Sequence, residues 1–249
     1  MSEKSYWIAG HHAVRSILQS APERVLSAAC SKNHDEAAEF KELLDQAGVA
    51  VQQVDKVTLQ KLVGSEQHQG VALQVRARKE QTDADLMRLL DREPERSNWL
   101  ILVLDQVQDP HNLGACLRTA EACGVDAVVV PKDRSAPMSA VVHKVASGAA
   151  ETLEMFRVTN LARTLKELKT RGVWVVGTSD QAQHTIYAQD FTQPIALIMG
   201  AEGKGLRRLT EDACDVLLSI PMASTAVSSL NVSVATGVCL YEAIRQRQK

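Results

Sequence analysis

Five short apolar runs in the second half of the chain predict buried strands. The runs cover residues 99–105, 127–131, 173–178, 195–200 and 216–221. They are rich in Val, Ile and Leu without polar alternation, which is typical of a parallel sheet covered on both faces. Helical periodicity appears between and after them, over residues 113–123, 161–170 and 231–247. We therefore predict a doubly wound α/β domain with a mainly parallel sheet over residues 99–249.

The first 80 residues alternate between helical and strand patterns. Apolar residues recur at helical spacing in residues 11–20 and 34–48, and the second segment closes at Gly48. Residues 49–54 and 70–77 have the composition of strands. These features predict a small α/β domain over residues 1–80.

A charged stretch, residues 81–98, follows this small domain. It holds a short amphipathic segment around Leu86–Leu90 and is interrupted at Pro94. Charged composition and a helix-breaking proline favour a connection over a core element. We expect residues 81–98 to be an interdomain linker.

Composition narrows the class of protein. The 249 residues are 45% hydrophobic and carry a net charge of −2, so the composition does not indicate a nucleic-acid-binding protein. The chain has four short basic clusters, which are more typical of a solvated surface than of a nucleic-acid site. No apolar run reaches the roughly 18 residues of a membrane helix, and the N-terminus has no signal-peptide pattern. The five cysteines are scattered without a C-x-x-C pair. We expect a reduced, cytoplasmic protein without a membrane span.

Three unusual loops follow strand ends and should therefore lie at one edge of the sheet. The first is "DPHN", with Arg118 in the helix behind it; the second is "GAEGKG"; the third carries Ser228, Ser229, Asn231 and Ser233. Ligands of doubly wound sheets bind at this edge. Each feature also has a plain alternative: an Arg118–Glu121 surface ion pair, a glycine turn and an ordinary helix cap.

Together these segments carry a resemblance to a known family. "DPHNLGACLRTAEACG", "LIMGAEGKG" and "IPM…SSLNVSVATGVCLYEA" are similar, in order and separation, to the three motifs of the SpoU branch of the SPOUT RNA 2′-O-methyltransferases. "VVVPKDRSA", "KVASGAAE" and "RVTNLARTL" resemble the subgroup that methylates a guanosine of 23S ribosomal RNA. The chain departs from the pattern after "IPM", where Ala223–Val227 lacks the usual glycine and has one extra residue.

The resemblance implies a fold and an activity. The C-terminal domain should be trefoil-knotted and bind S-adenosylmethionine, and the N-terminal domain should be an L30e-like RNA-binding module. The reaction should transfer a methyl group to the ribose 2′-hydroxyl of a guanosine in the peptidyl-transferase P-loop region of 23S ribosomal RNA. Such enzymes are homodimers with active sites near the subunit interface, and no metal is implied.

The resemblance also assigns residues. Those matching the family's functional positions are Arg118, Asn112, Glu202, Ser229 and Asn231. Those matching its cofactor-binding positions are Thr178, Gly200, Ile220, Met222 and Leu230. Because a guanidinium has a high pKa, Arg118 is better suited to clamping a phosphate beside the reacting hydroxyl than to removing the proton of that hydroxyl.

Three other functions are weighed against this one. A transfer RNA 2′-O-methyltransferase of the same branch is disfavoured by the N-terminal domain. A non-catalytic RNA-binding or ribosome-assembly protein is disfavoured by the complete set of motif residues. A nucleotide-dependent oxidoreductase is disfavoured because no strand is followed by G-x-G-x-x-G.

Overall fold

The chain forms two compact units in a computed structural model. It describes residues 5–32, 36–66, 68–94, 96–201, 203, 205–223 and 229–248, with backbone alone for residues 36–39. The first unit comprises residues 1–79 and 138–152, and the second comprises residues 80–137 and 153–249.

Strands and helices alternate along most of the described chain. The strands are β1 Ser5–Ala9, β2 Val25–Ser31, β3 Val51–Val54, β4 Val71–Arg76, β5 Gln81–Thr82, β6 Leu100–Leu104, β7 Ala127–Pro131, β8 Met155–Val158, β9 Trp174–Thr178, β10 His184–Thr185, β11 Ile195–Met199 and β12 Val216–Ser219. The helices are α1 His11–Ser20, α2 Glu36–Gln46, α3 Lys56–Val63, α4 Asp83–Arg92, α5 Pro110–Ala122, α6 Ala140–Ala146, α7 Ala149–Thr152, α8 Leu161–Thr170, α9 Arg208–Glu211 and α10 Val232–Arg247.

The first unit is built on a mixed sheet with the order β1-β4-β2-β3. Strand β4 runs antiparallel to β1 and β2, while β2 and β3 are parallel. Its core joins the apolar face of α1, including Val14 and Ile17, to Phe40 and to strand residues such as Leu73. The predicted helix over residues 11–20 is confirmed, and Gly48, at φ +64°, follows α2 as expected.

The second unit is built on a sheet with the order β10-β12-β9-β11-β6-β7-β8-β5, in which every pair of neighbours is parallel. The five apolar runs form β6, β7, β9, β11 and β12, so the prediction of a mainly parallel α/β domain is confirmed. Strand β8 has no such signal because Arg157 stands in its four residues.

Both faces of this sheet are covered, which accounts for the unbroken apolar character of its strands. Leucines of α4 and α8 pack on one face against alternate strand residues such as Ile101, Val103 and Ile198. The remaining strand residues face the other side, where α10 contacts β11 and packs along α5.

Two segments belong to a different part of the fold from the one that the sequence patterns indicate. Residues 81–92 form β5 and α4, and Leu86, Met87 and Leu90 are buried in the core of the second unit. The charged residues that suggest a linker lie on the other side of this amphipathic helix. Residues 138–152, inside the predicted C-terminal domain, belong by their contacts to the first unit.

Across the residues that the structure describes, no helix is both long enough and apolar enough to cross a membrane.

Candidate active site

The carboxyl ends of four neighbouring strands define the candidate site. Strands β12, β9, β11 and β6 are adjacent and parallel, so the loops that leave them emerge at one edge. The amide of Ser179, after β9, donates to the Leu218 carbonyl at 3.0 Å, and the amide of Asp105, after β6, donates to the Met199 carbonyl at 2.8 Å. The first, second and third sequence motifs therefore begin side by side.

Helix α5 places Asn112 in its first turn, not in a loop. The Asp109 side chain caps the helix by accepting from the His111 amide at 2.9 Å, and Pro110 follows at the first helical position. Aspartate at the cap and proline at the next position are a standard start signal. The expected start of this helix at Leu113 is therefore three residues late.

Helix α10 begins with Asn231, which links the third motif to the first. The Asn231 side-chain oxygen accepts from the Ser233 amide at 2.9 Å and from the Ser233 hydroxyl at 2.6 Å. Its nitrogen donates to the side-chain oxygen of Asn112 at 2.9 Å. Asn231 is therefore a helix cap and also a partner of Asn112, so the capping alternative does not explain its contact with α5.

Small side chains let α5 and α10 approach closely beside this pair. The Cys116 sulfur lies 3.5 Å from the Thr236 hydroxyl, and both residues are fully buried. Burial raises the pKa of the Cys116 thiol to about 11 and that of Cys239 to about 12. Both thiols therefore stay protonated at neutral pH and act as packing groups.

Arg118 stands apart from the two asparagines within one chain. Six residues separate it from Asn112, which places it about 120° away around the helix. It is exposed, and within the described chain it forms neither a hydrogen bond nor an ion pair, including with Glu121. The surface ion pair weighed from the sequence is therefore not formed, and one chain does not bring Arg118 to the Asn112–Asn231 pair.

The glycine-rich segment after β11 folds back tightly on itself. The Ala201 and Gly205 main chains exchange two hydrogen bonds, of 3.1 Å and 2.9 Å. A Cβ atom at Gly200 would lie 2.3 Å from the Gly205 carbonyl carbon, and Gly203 has a φ of +73°. These glycines are therefore required by the turn itself.

A buried ion pair joins the first motif to the second, and sequence reasoning missed its role. Asp105 is fully buried, and the Arg207 guanidinium lies 2.7 Å from its carboxylate, while the Arg207 amide donates a hydrogen bond to that carboxylate at 3.2 Å. Residues 203–208, which include Arg207, form one of the four basic clusters that the sequence alone favours as solvated surface. The available signal was an aspartate directly after a wholly apolar strand, because a charge in that place needs a partner.

The proposed cofactor positions lie at the same edge. The Thr178 hydroxyl at the end of β9 donates to the Ile198 carbonyl at 3.1 Å. Ile220 and Leu230 are half-buried and Met222 is 39% exposed.

The remaining site residues are less well defined. Ser229 is exposed just before Asn231. Glu202 and Ser228 lie outside the described residues, so their predicted roles have no structural account.

These features fit a nucleoside-bearing cofactor. Apolar side chains next to open main-chain groups at strand ends can hold an adenine ring by contact and by backbone hydrogen bonds. In the part of the chain that the structure covers, no group of three or more potential metal ligands is found.

Comparison with known proteins defines the class. The model of the SpoU rRNA methylase family matches residues 99–241, and that of the RNA 2′-O ribose methyltransferase substrate-binding domain matches residues 7–81. The chain belongs to the SpoU rRNA methylase family. It is an S-adenosylmethionine-dependent RNA 2′-O-methyltransferase, and the resemblance read from its three motifs is confirmed.

Particular relatives are similar along the whole chain. The 23S rRNA (guanosine-2′-O-)-methyltransferase RlmB of Pasteurella multocida is 53% identical, with 99% of each chain covered. The protein of the same name from Haemophilus influenzae is 52% identical, again over 99% of each chain. The SpoU methyltransferase AviRb from Streptomyces viridochromogenes, solved in complex with its cofactor AdoMet, is 26% identical with a TM-score of 0.79, covering 98% of this chain and 91% of its own.

Proposed function

We propose that this protein transfers the methyl group of S-adenosylmethionine to the ribose 2′-hydroxyl of a guanosine in 23S ribosomal RNA. Full-length identity of about one half to enzymes named for that reaction supports the substrate. The observation that carries the proposal is the direct Asn231–Asn112 hydrogen bond, which joins the first and third motifs at the carboxyl edge of the sheet. We place the target in the P-loop region and the enzyme in the cytoplasm.

The residues that would hold the cofactor are Thr178, Gly200, Ile220, Met222 and Leu230. The cofactor supplies an electrophilic methyl group on a sulfonium. The order of β11, β9 and β12 in the sheet, with β9 in the middle, supports a crossing of chain segments at this edge. We propose that this crossing is the trefoil knot of the family.

Arg118 is the proposed catalytic cation. A ribose hydroxyl becomes a good nucleophile only as it loses its proton, so the site must stabilise a developing alkoxide. A guanidinium bound to the adjacent phosphate would lower the pKa of that hydroxyl without itself losing a proton, and the hydroxyl proton would pass to that phosphate or to water. Asn112, Ser229 and Asn231 would orient the ribose, and Glu202 would fix the position of Asn112 or Arg118.

A homodimer would bring Arg118 to a complete site. Val234 and Tyr241 lie seven residues apart on α10, on one side of the helix, and are 53% and 59% exposed. The exposed side of α5 carries Arg118. We propose that the α5–α10 face, defined here as Arg118, Val234 and Tyr241, meets its copy about a twofold axis, so that Arg118 reaches the Asn112–Asn231 pair of the partner subunit.

The test of the function uses labelled S-adenosylmethionine with unmodified 23S ribosomal RNA and, in a parallel reaction, bulk transfer RNA. We expect label in the 23S RNA, at one guanosine that mapping places in the P-loop region. Label in transfer RNA instead would favour the sister activity, and label in neither RNA would contradict the proposal.

Arg118→Ala tests the mechanism. Loss of the clamp should lower kcat/KM by about a hundredfold or more, equivalent to roughly 3 kcal/mol of transition-state stabilisation. S-adenosylmethionine binding, measured by calorimetry, should stay unchanged. Turnover close to that of the native enzyme would show that Arg118 has no catalytic role.

A further inference from the structure

The first unit contains a cavity that the methyl-transfer site does not use. Its volume is about 510 Å³, within the range that holds a small ligand. Four chain segments line it, through residues 9, 10, 12 and 13, residue 56, residues 66 and 68–70, and residues 144 and 147. All of them belong to the first unit, and the last comes from the short segment 138–152.

The wall of this cavity is held in place by specific contacts. The Gln69 side-chain oxygen accepts from the His11 amide at 2.8 Å, and the Gln69 carbonyl lies 3.0 Å from the His11 ring nitrogen Nε2. A Cβ atom at Gly10 would lie 3.1 Å from the Gln69 side-chain oxygen, and the Gly10 φ is +96°. Residues 68–70 are therefore fixed against the start of α1, so the cavity is formed before any ligand arrives.

A buried histidine contributes to the same wall. His68 is only 2% exposed, and its Nδ1 accepts from the Gly70 amide at 3.1 Å. An accepting Nδ1 places the proton of the neutral imidazole on Nε2. The lining therefore includes a ring of defined tautomer rather than a mobile surface group.

The charged groups of the lining favour a phosphate. Lys56 and Lys144 are exposed at the cavity, and Lys144 lies 3.3 Å from the Ser65 hydroxyl. Gly10, the residue before α1, has no side chain to cap the helix, so the first-turn amides of His12 and Ala13 add partial positive charge at the same place. Glu66 is the single carboxylate among those lining residues that the structure describes.

The remaining groups suit a nucleobase. The exposed His12 ring can stack on an unpaired base, as aromatic side chains do in RNA recognition. The Glu66 carboxylate would repel a phosphate but can accept a hydrogen bond from the amino group of a base.

We propose that this cavity binds one unpaired nucleotide of the RNA substrate, its phosphate on Lys56 and Lys144 and its base against His12. The inference rests on the proposed function for the identity of the RNA. It adds a second contact point, in the unit that lacks Asn112 and Arg118. Lys144 and Ser147 also line this contact point, although they lie outside residues 7–81, the segment that matches the substrate-binding family model.

Lysine variants test the site. Lys56→Ala and Lys144→Ala should each lower the affinity for an unmodified 23S rRNA transcript about three- to tenfold. Each should also reduce the dependence of log affinity on log salt by about 0.7 to 0.9. Lys61→Ala is the matched control, because Lys61 is exposed on the same helix as Lys56 but does not line the cavity. It should leave both quantities unchanged.

Kinetics separate this site from the catalytic one. Lys56→Ala and Lys144→Ala should raise KM for RNA while leaving kcat at saturating RNA and S-adenosylmethionine binding unchanged. Equal RNA affinity and salt dependence in the cavity variants and in Lys61→Ala would overturn the inference while leaving the function intact. A native enzyme that binds RNA through these lysines but transfers no methyl group would overturn only the proposed function.

Discussion

Asn231 shows how one side chain can serve both folding and chemistry. Its oxygen caps α10, and its nitrogen holds Asn112 of α5. A serine or threonine could cap the helix equally well, but neither could bridge to Asn112 in the same way. The amide carries its acceptor and its donor on different atoms, so it can face the start of α10 and Asn112 at once, which is a physical reason for an amide at this position.

Two substitutions at Asn231 separate these roles. Asn231→Asp keeps the capping oxygen but sets a carboxylate against the Asn112 oxygen, so we expect near-native thermal stability with a large loss of methyl transfer. Asn231→Ala should lose both the helix cap and the contact with Asn112, and loss of the cap should lower the free energy of unfolding by about 1 kcal/mol. Thermal unfolding and kcat/KM measure the two effects. Full activity in the aspartate variant would show that the Asn112 contact has no part in the reaction.

The types of these site residues could be predicted from the sequence, but their contacts could not. The resemblance to the family's three motifs assigns Asn112, Arg118 and Asn231 to the site. The Asn112–Asn231 bond depends on how α5 and α10 pack, and that is decided by buried groups 120 positions apart, such as Cys116 and Thr236. Asp105 and Arg207 were missed for the same reason, because each becomes significant only beside the other.

At the scale of elements, the turn after β11 should be the part of the cofactor site most sensitive to added volume. Gly200→Ala would drive a methyl group into the Gly205 main chain, 2.3 Å away, so the turn must open. We expect S-adenosylmethionine affinity to fall at least tenfold, measured by calorimetry.

A second glycine provides the control. At Gly237, in α10, an added Cβ would only touch the Thr119 methyl at 3.9 Å. Gly237→Ala should therefore retain cofactor affinity and gain about 0.5 to 1 kcal/mol of helix stability. Equal cofactor affinity in both variants would show that the turn does not shape the binding site.

Helix α7 is attached to the first unit by a buried carboxylate. Glu151 accepts from Arg24 at 3.0 Å, lies 2.6 Å from His143 and accepts from the Tyr6 hydroxyl at 3.1 Å. Burial by itself raises the pKa of Glu151, but the hydrogen bonds and charges of His143 and Arg24 outweigh it, and the pKa is lowered. The ionised carboxylate therefore stabilises the folded unit.

This network predicts a pH-dependent stability. A lowered carboxyl pKa contributes stability above the unfolded value of about 4.5 and loses it as pH falls through the folded value. Glu151→Gln should cost on the order of 3 kcal/mol at pH 7, because Arg24 is left buried and unbalanced. The difference from the native protein should shrink in acid. Hydrogen exchange of β1 and β4 amides reports on this unit.

The exposed Glu42, on α2, offers a control for the carboxylate. Glu42→Gln should change the same amides little at either pH. An unchanged protection pattern in Glu151→Gln would mean that the buried ion pairs do not hold α7.

At the scale of the whole molecule, the proposed dimer makes activity depend on the α5–α10 face. Val234→Glu and Tyr241→Glu place charge in an apolar contact, so we expect sedimentation of a monomer and a loss of methyl transfer of about a hundredfold. Val57→Glu, at an apolar position of the first unit that is 60% exposed, should leave the mass unchanged. A native protein that is active as a monomer at micromolar concentration would contradict the dimer.

Much of the architecture of the second unit could be predicted, and less of the first. Continuous apolar runs specify buried parallel strands, so the positions of β6, β7, β9, β11 and β12 were predicted. Strands β1 and β2 mix polar and apolar residues and obtain their partners from β4, which is distant in sequence. Helix α4 was obscured by its charged outer side.

The composition of the first unit has a consequence for protein synthesis. Its sheet is complete once residue 76 has been made, yet Glu151 and the lining residues Lys144 and Ser147 come more than sixty residues later. At roughly 5 to 20 residues per second, the nascent unit would wait roughly 4 to 15 s for its last helices. During that interval Arg24 and Tyr6 lack Glu151, their partner in the folded unit. The first unit, which would hold RNA, therefore completes its fold only after the ribosome has synthesised residues 80–137 of the second unit.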